Sequence, residues 1–143
     1  MKISICASIQ FTPEIKEISE TLRASGHEVI IPDGAERIIS GETTMEQYLD
    51  KVSKGEGHEA KIKNDVIRKY FKKIQDSDAI LVLNYEKKGI SNYIGGNTFL
   101  EVAFAYVLEK KVFLLNPIPD MHYKDELIAM QPIIIDGDLS KIA

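Results

Sequence analysis

The chain is poor in the residues that staple small folds or hold metals. It has one cysteine, Cys6, so no internal disulfide can form. Set inside a short apolar stretch, that thiol reads as core filling rather than catalysis. The three histidines, His27, His58 and His122, are scattered without metal-ligand spacing, and neither a metal nor any other cofactor is expected. No apolar run reaches the ~18 residues that a membrane span needs, so no membrane association is expected. Positive charge is not in excess: 18 Lys and Arg against 22 Asp and Glu leave a formal net charge of −4. A nucleic-acid polymer is therefore not an expected partner, since binding one needs a basic footprint. There is no P-loop, no G-x-G-x-x-G, no G-x-S-x-G and no HExxH. The first strand does not end in the acidic cluster of a phospho-acceptor receiver domain. Repeats, low-complexity tracts and linkers are absent. The apolar opening MKISICASI is cut short by Gln10, Pro13, Glu14 and Lys16, with no small-residue cleavage site behind it. It reads as the first strand of a cytoplasmic protein rather than a signal peptide.

What is present fits one globular domain of 143 residues, 44% hydrophobic and 28% charged. Residues 2–7 read as a strand. Ile15, Ile18 and Leu22 place a helix over 13–25, which Gly26 ends, and 27–31 is a second strand closed by Pro32-Asp33-Gly34. Met45, Tyr48, Leu49 and Val52 form the apolar stripe of a helix over 42–54, with Thr43 and Glu46 as its capping box. Ile62, Val66, Tyr70 and Ile74 predict a helix over 58–75, its basic residues largely off that stripe. Strands follow at 78–84, 111–115 and 132–135, and helices at 97–109 and 120–130. Alternating strands and helices with continuously apolar strands predict an α/β, flavodoxin/Rossmann-like three-layer sandwich, its five-stranded parallel sheet in the order 2-1-3-4-5. The stretch 34–57 is longer than an ordinary connection and reads as a helical insertion, either a lid or a dimer contact.

In such sheets ligands bind beyond the carboxyl ends of the strands. The rule selects loops 7–11, 32–41, 84–98 and 116–120. It leaves Asp76 and Asp78, at the amino end of strand 3, as turn residues. The third loop is the richest, with Asn84, Tyr93, Gly95, Gly96, Asn97 and Thr98. Paired glycines let backbone approach a ligand, and the helix behind them offers free N–H groups to a phosphate, a sugar hydroxyl or a carboxylate. The helix over 99–108 is apolar all round except at Glu101, which marks it as buried. A carboxylate in its first turn has two explanations. Thr98-x-x-Glu101 matches a capping box. Alternatively, Glu101 faces the cleft as a nucleophile or charge stabiliser. Ser8, with the amides of Ile9 and Gln10, is either a phosphate ligand or a turn serine. Phe11 either stacks on a base or packs. His58, Glu59 and Asp65 read as surface or solvated residues.

These residues together resemble the nucleoside 2-deoxyribosyltransferase-like family, which includes the 2′-deoxynucleoside 5′-phosphate N-hydrolases. The resemblance covers most of the chain. It is carried by Ala7-Ser8-Ile9, by Ser77-Asp78-Ala79-Ile80-Leu81-Val82, by the run from Gly96 to Ala105 (GNTFLEVAFA), by Lys110-Lys111-Val112 and by Leu127-Ile128-Ala129-Met130. The Gly-Gly-x-Thr-x-x-Glu element also resembles the Rossmann-like phosphoribohydrolases that release cytokinin bases. The resemblance implies cleavage or transfer at the N-glycosidic bond of a nucleoside or nucleoside 5′-monophosphate. Glu101 falls at the family's nucleophile, which attacks C1′ with the logic of a retaining glycosidase. By the same resemblance, Ser8 and its loop hold the 5′ end, and Gly95–Thr98 line the sugar site. The segment matching Ala129–Met130 comes from a neighbouring subunit, which implies a homodimer or a higher homo-oligomer. The chain departs from the family at two aspartate positions, where it has Tyr70 and Gly95; Asp65, His58 and Tyr93 are the candidates to replace them. Three functions stay open on the sequence: an N-glycosidic hydrolase or transferase, a non-catalytic nucleotide-binding or sensing module, and an assembly protein without a small ligand.

Overall fold

The computed structural model describes residues 1–55, 58, 59, 62 and 65–143. Its strands are β1 (Lys2–Cys6), β2 (Glu28–Ile30), β3 (Ala79–Val82), β4 (Lys111–Leu114) and β5 (Ile133–Ile134). They form one parallel sheet in the order β2-β1-β3-β4-β5, the topology that the sequence predicts. At its centre Ile3 pairs with Ala79 and Cys6 with Val82, while Ala79 pairs with Lys111 on the other side. Alternate residues of these strands enter two separate cores. Ile3, Ile5, Leu81 and Phe113 pack on one face with Ile15 and Leu22 of α1 (Thr12–Ala24). Cys6, Ile80, Val82 and Leu114 pack on the other. Their partners there come from α4 (Val66–Gln75), α5 (Gly96–Val107) and α6 (Lys124–Ala129). Burial on both faces is why the strands read as continuous apolar runs rather than alternating ones. Among the described residues, no helix is long and apolar enough to cross a membrane.

The insertion differs from the expectation in detail. Pro32-Asp33-Gly34 does not close β2 as a turn. Asp33 opens a short helix, α2 (Asp33–Ile39), with Pro32 as its N-cap residue. The next helix, α3 (Met45–Ser53), starts later than 42. Its cap is Thr44, whose hydroxyl accepts from the Gln47 amide at 3.1 Å, so the capping pair sits one residue beyond Thr43 and Glu46. The α3 stripe is only half covered, with Leu49 and Val52 42% and 49% exposed. Its anchor is Tyr48, which reaches Gly34. A Cβ on Gly34 would lie 3.3 Å from the Tyr48 ring and 3.1 Å from the Ile9 side chain, so the missing side chain is what lets these elements meet.

Two other helices are reset. The one expected over 58–75 is interrupted at Asp65, which takes a left-handed conformation (φ 49): the described residues His58, Glu59 and Ile62 before it are helical, and α4 begins after it at Val66. Residues 56, 57, 60, 61, 63 and 64 of this region lie outside the described residues. The helix expected over 97–109 runs from Gly96 to Val107. It is not buried all round: Leu100, Tyr106 and Val107 are exposed, because one side of α5 faces away from the sheet.

Candidate active site

The loops at the carboxyl ends of β1, β2 and β3 enclose one open cleft of about 1480 Å³. The loop after β1 brings Ser8, Ile9 and Phe11 to it in a single 3-10 turn (Ile9–Phe11) that runs straight into α1. From the insertion come Asp33, Arg37 and Tyr48, and from α4 comes Tyr70. The segment after β3 contributes Lys87, Tyr93, Gly95, Gly96, Asn97, Thr98 and Glu101.

The geometry changes the meaning of Glu101. Gly95 is the N-cap residue of α5 and Phe99 N–H makes the 2.8 Å bond back to its carbonyl, so Thr98 lies inside the first turn and Glu101 in the second. No carboxylate stands in the first turn and no side chain caps this end. The capping box is therefore overturned, since a residue beyond the first turn has no helix-end amide to satisfy. What does meet Glu101 is Cys6, the last residue of β1, which is fully buried. Burial pushes the Cys6 thiol well above its usual pKa, the Glu101 charge adds to this, and a side-chain hydrogen bond with Glu101 adds again. The thiol is thereby held protonated beside the Glu101 carboxylate, with the Ser4 carbonyl, 4.0 Å from its sulfur, as another acceptor. One carboxylate oxygen of Glu101, Oε2, is itself buried.

Tyr70 lies alongside. Its hydroxyl donates to the Ile5 carbonyl at 2.6 Å, and its pKa is raised well above the usual value by burial first, then by Cys6, Glu101 and Asp33. The phenol thus pins β1 to α4. Asp33 pairs with Lys73, whose ammonium lies 5.3 Å from the Tyr70 ring centre. Gly95, the other position where the resemblance implies an aspartate, has an ordinary φ of −77, but Tyr93 covers it: a Cβ there would meet the Tyr93 ring at 3.3 Å. The space an aspartate side chain would take is filled by a tyrosine two residues earlier.

Lys87 is not among the residues that stand out in the sequence. It stands at the start of a tight turn closed by reciprocal backbone bonds with Ile90, with Lys88 and Gly89 both at positive φ between them. The turn sends the Lys87 ammonium back across the cleft to donate to Ser8 Oγ at 2.7 Å. Burial lowers its pKa, and the neighbouring Lys88 lowers it further. Both ammonium groups flank the Tyr93 ring, at 5.7 and 5.9 Å from its centre. The signal was available in Glu86-Lys87-Lys88-Gly89, a charged turn inside the longest loop at the ligand edge.

Three other expected residues are placed differently. Phe11 lies at the cleft but packs on Tyr85, ring centres 5.1 Å apart. Asn84 does not line the cleft. It is fully buried, and its amide is spent on the loop after β4, donating to Asn116 O (2.9 Å) and Pro117 O (3.1 Å) and accepting from Asn116 N–H (2.9 Å). Met130 caps α6 and packs half-buried against the core beside Leu127, away from the lining of this cleft. Among the described residues, no three His, Cys, Asp or Glu side chains gather as metal ligands would.

No family model and no curated protein matches this sequence. The fold does have a counterpart among solved structures: a CMP N-glycosidase of Clostridium botulinum, BcmB, is similar over 94% of this chain and 88% of its own, with 14% identity and a TM-score of 0.50. At that identity the likeness is one of fold, the parallel α/β sheet and its connections.

Proposed function

We propose that this protein breaks the N-glycosidic bond of a nucleoside or nucleoside 5′-monophosphate, with Glu101 as the nucleophile. The observation that carries the reading is the position of Glu101: a carboxylate beyond the first turn of α5, with no capping duty, lining the cleft at the carboxyl ends of β1 and β3. The resemblance of GNTFLEVAFA to the deoxyribosyltransferase-like pattern supports the reading. So does a fold shared with a protein described as a CMP N-glycosidase. In the first step a Glu101 oxygen bonds to C1′ while the C1′–N bond breaks, and the base leaves with that electron pair and takes a proton. In the second, water adds to C1′, its proton departs and Glu101 is released as a carboxylate. A second nucleobase in place of water would give transfer instead of hydrolysis. The Cys6 thiol beside the carboxylate orients it. The protein acts as a homo-oligomer in this reading, supported by the exposed apolar side chains Ile67, Leu100 and Val107 on α4 and α5.

The test is release of free base from a panel of nucleosides and 5′-monophosphates, followed by chromatography. Wild type should release base and Glu101→Gln should not. Equal release by the two proteins, or none by wild type, overturns the proposal. A second reading, a nucleotide-binding module without turnover, is favoured by the engagement of Tyr70 with Ile5 and of Tyr93 with Gly95 at the two positions where the resemblance implies an aspartate. It predicts calorimetric binding of a nucleotide that Glu101→Gln leaves intact, with no base released.

A further inference from the structure

Charged side chains of both signs line the cleft, Asp33, Glu42, Asp50 and Glu101 against Arg37, Lys51 and Lys87 among the described residues. Glu101 and Asp33 face it, and Asp33 is already paired with Lys73. Lys87 also faces it, and among the described residues no carboxylate lies within ion-pair distance of its ammonium or of the Lys88 ammonium. Its partners are neutral: the Ser8 hydroxyl and the Tyr93 ring. A half-buried ammonium with a second ammonium beside it is disfavoured, and the lowered pKa of Lys87 expresses that cost. An anion entering between them would remove it.

We propose that Lys87, with Ser8, selects a substrate whose sugar carries a 5′-phosphoryl group over the corresponding neutral nucleoside. The inference rests on the reading of this cleft as a nucleoside site. The chemistry matches a phosphoryl group in three ways. A phosphate monoester is close to a dianion at neutral pH, and two lysines stand beside the Tyr93 ring to meet it. Ser8 Oγ accepts from Lys87, so its own proton is left to donate to a phosphoryl oxygen. The Lys87 ammonium has three N–H groups, enough to keep Ser8 and take an anion as well. The Lys87–Ile90 turn fixes the backbone from which the side chain reaches, so the group is held in place before the ligand arrives.

The experiment uses the 143-residue chain carrying Glu101→Gln, so that turnover does not confuse binding. Calorimetry compares cytidine, uridine, adenosine and guanosine, and their 2′-deoxy forms, each with its own 5′-monophosphate. The readout is the ratio of the two dissociation constants. With Lys87 present the monophosphate should bind about tenfold tighter or better, the range of one charge-assisted hydrogen bond. Lys87→Met should collapse the ratio to near one, Lys87→Arg should keep most of it, and Ser8→Ala should reduce it in part. A ratio near one with Lys87 present, a ratio indifferent to Lys87→Met, or binding of neither member of any pair overturns the proposal. Base release by the protein with Glu101 intact separates this outcome from the parent reading. Release with no Lys87-dependent preference defeats the present inference alone. Lys87-dependent preference without release defeats the glycosidase reading and leaves this one standing.

Discussion

Replacing Asn84 by alanine is the sharpest test of how the ligand edge of the sheet is built. The side chain is fully buried and makes three hydrogen bonds to Asn116 and Pro117, while Asn116 Nδ2 returns a fourth to the Asn84 carbonyl at 3.0 Å. Together they lock the loop after β3 to the loop after β4. Asn84→Ala deletes the three side-chain bonds and keeps the fourth. At about 1 kcal/mol net for each, the loss is about 3 kcal/mol, with the orphaned Asn116 N–H and two carbonyls pushing it upward rather than down. An unfolding entropy near 2.1 cal/mol/K per residue comes to ~0.3 kcal/mol/K for a chain of this length, so the melting temperature should fall by about 10 °C. Asn84→Asp should cost more at neutral pH, because it sets a carboxylate oxygen against two carbonyls. Scanning calorimetry on both variants, with a urea titration at 25 °C, gives the numbers. If Asn84→Ala melts within about 2 °C of wild type, the lock is not structural and the reasoning fails. If the folded variant instead loses ligand affinity while keeping its stability, Asn84 belongs to the binding surface, as the sequence alone had placed it.

Four further outcomes are expected. The Cys6 thiol, buried and held protonated, should resist Ellman's reagent at pH 8 in the native protein and react fully in 6 M guanidinium; rapid native labelling would contradict its placement under Glu101. Tyr70→Phe should lower stability by about 1–2 kcal/mol through loss of the bond to Ile5, while base release per folded molecule persists; abolished release would make the phenol a participant in the chemistry. Gly95→Asp, at an ordinary φ, should be tolerated only if the Tyr93 ring moves, which the double variant Gly95→Asp with Tyr93→Ala would reveal by regaining the melting temperature lost in the single one. The Asp138 carboxyl is held below its usual pKa of 3.8 by the Ser140 hydroxyl and then the Ser140 amide, so its stabilising effect is present above that value and disappears as pH falls through the lowered one; NMR titration should show Ser140→Ala returning it upward.

The sheet was legible because its strands are buried on both faces. A run such as Ala79–Val82 has no polar side to hide, and the helical stripes between such runs force a parallel order. What the sequence concealed is local and has local causes. Asp33-Gly34 after a proline looks like a turn, yet it opens α2, because Gly34 is placed there for the approach of Ile9 and Tyr48 rather than for a positive φ. Thr98 looks like a cap, yet the helix starts two residues earlier on a pair of glycines, which propensity scales count against a helix. Glu101 was picked out by its contrast with apolar neighbours, and that signal survived although the bland explanation for it did not. Lys87 had no such contrast. A lysine in a charged turn reads as solvated until its partner, 79 residues away in sequence, is known.

The hydroxyls of Ser4 and Ser77 meet at 2.8 Å inside the protein, across 73 residues of chain. That contact marks the seam between β1 and β3, the two strands whose ends carry Ser8 and lead to Lys87. Closing so long a loop costs about 4 kcal/mol of chain entropy before any packing returns it. During synthesis more than half of the polypeptide must therefore be made before β1 gains its central neighbour, and α5 with Glu101 is made later still. The cleft is thus a product of long-range strand pairing rather than a local motif.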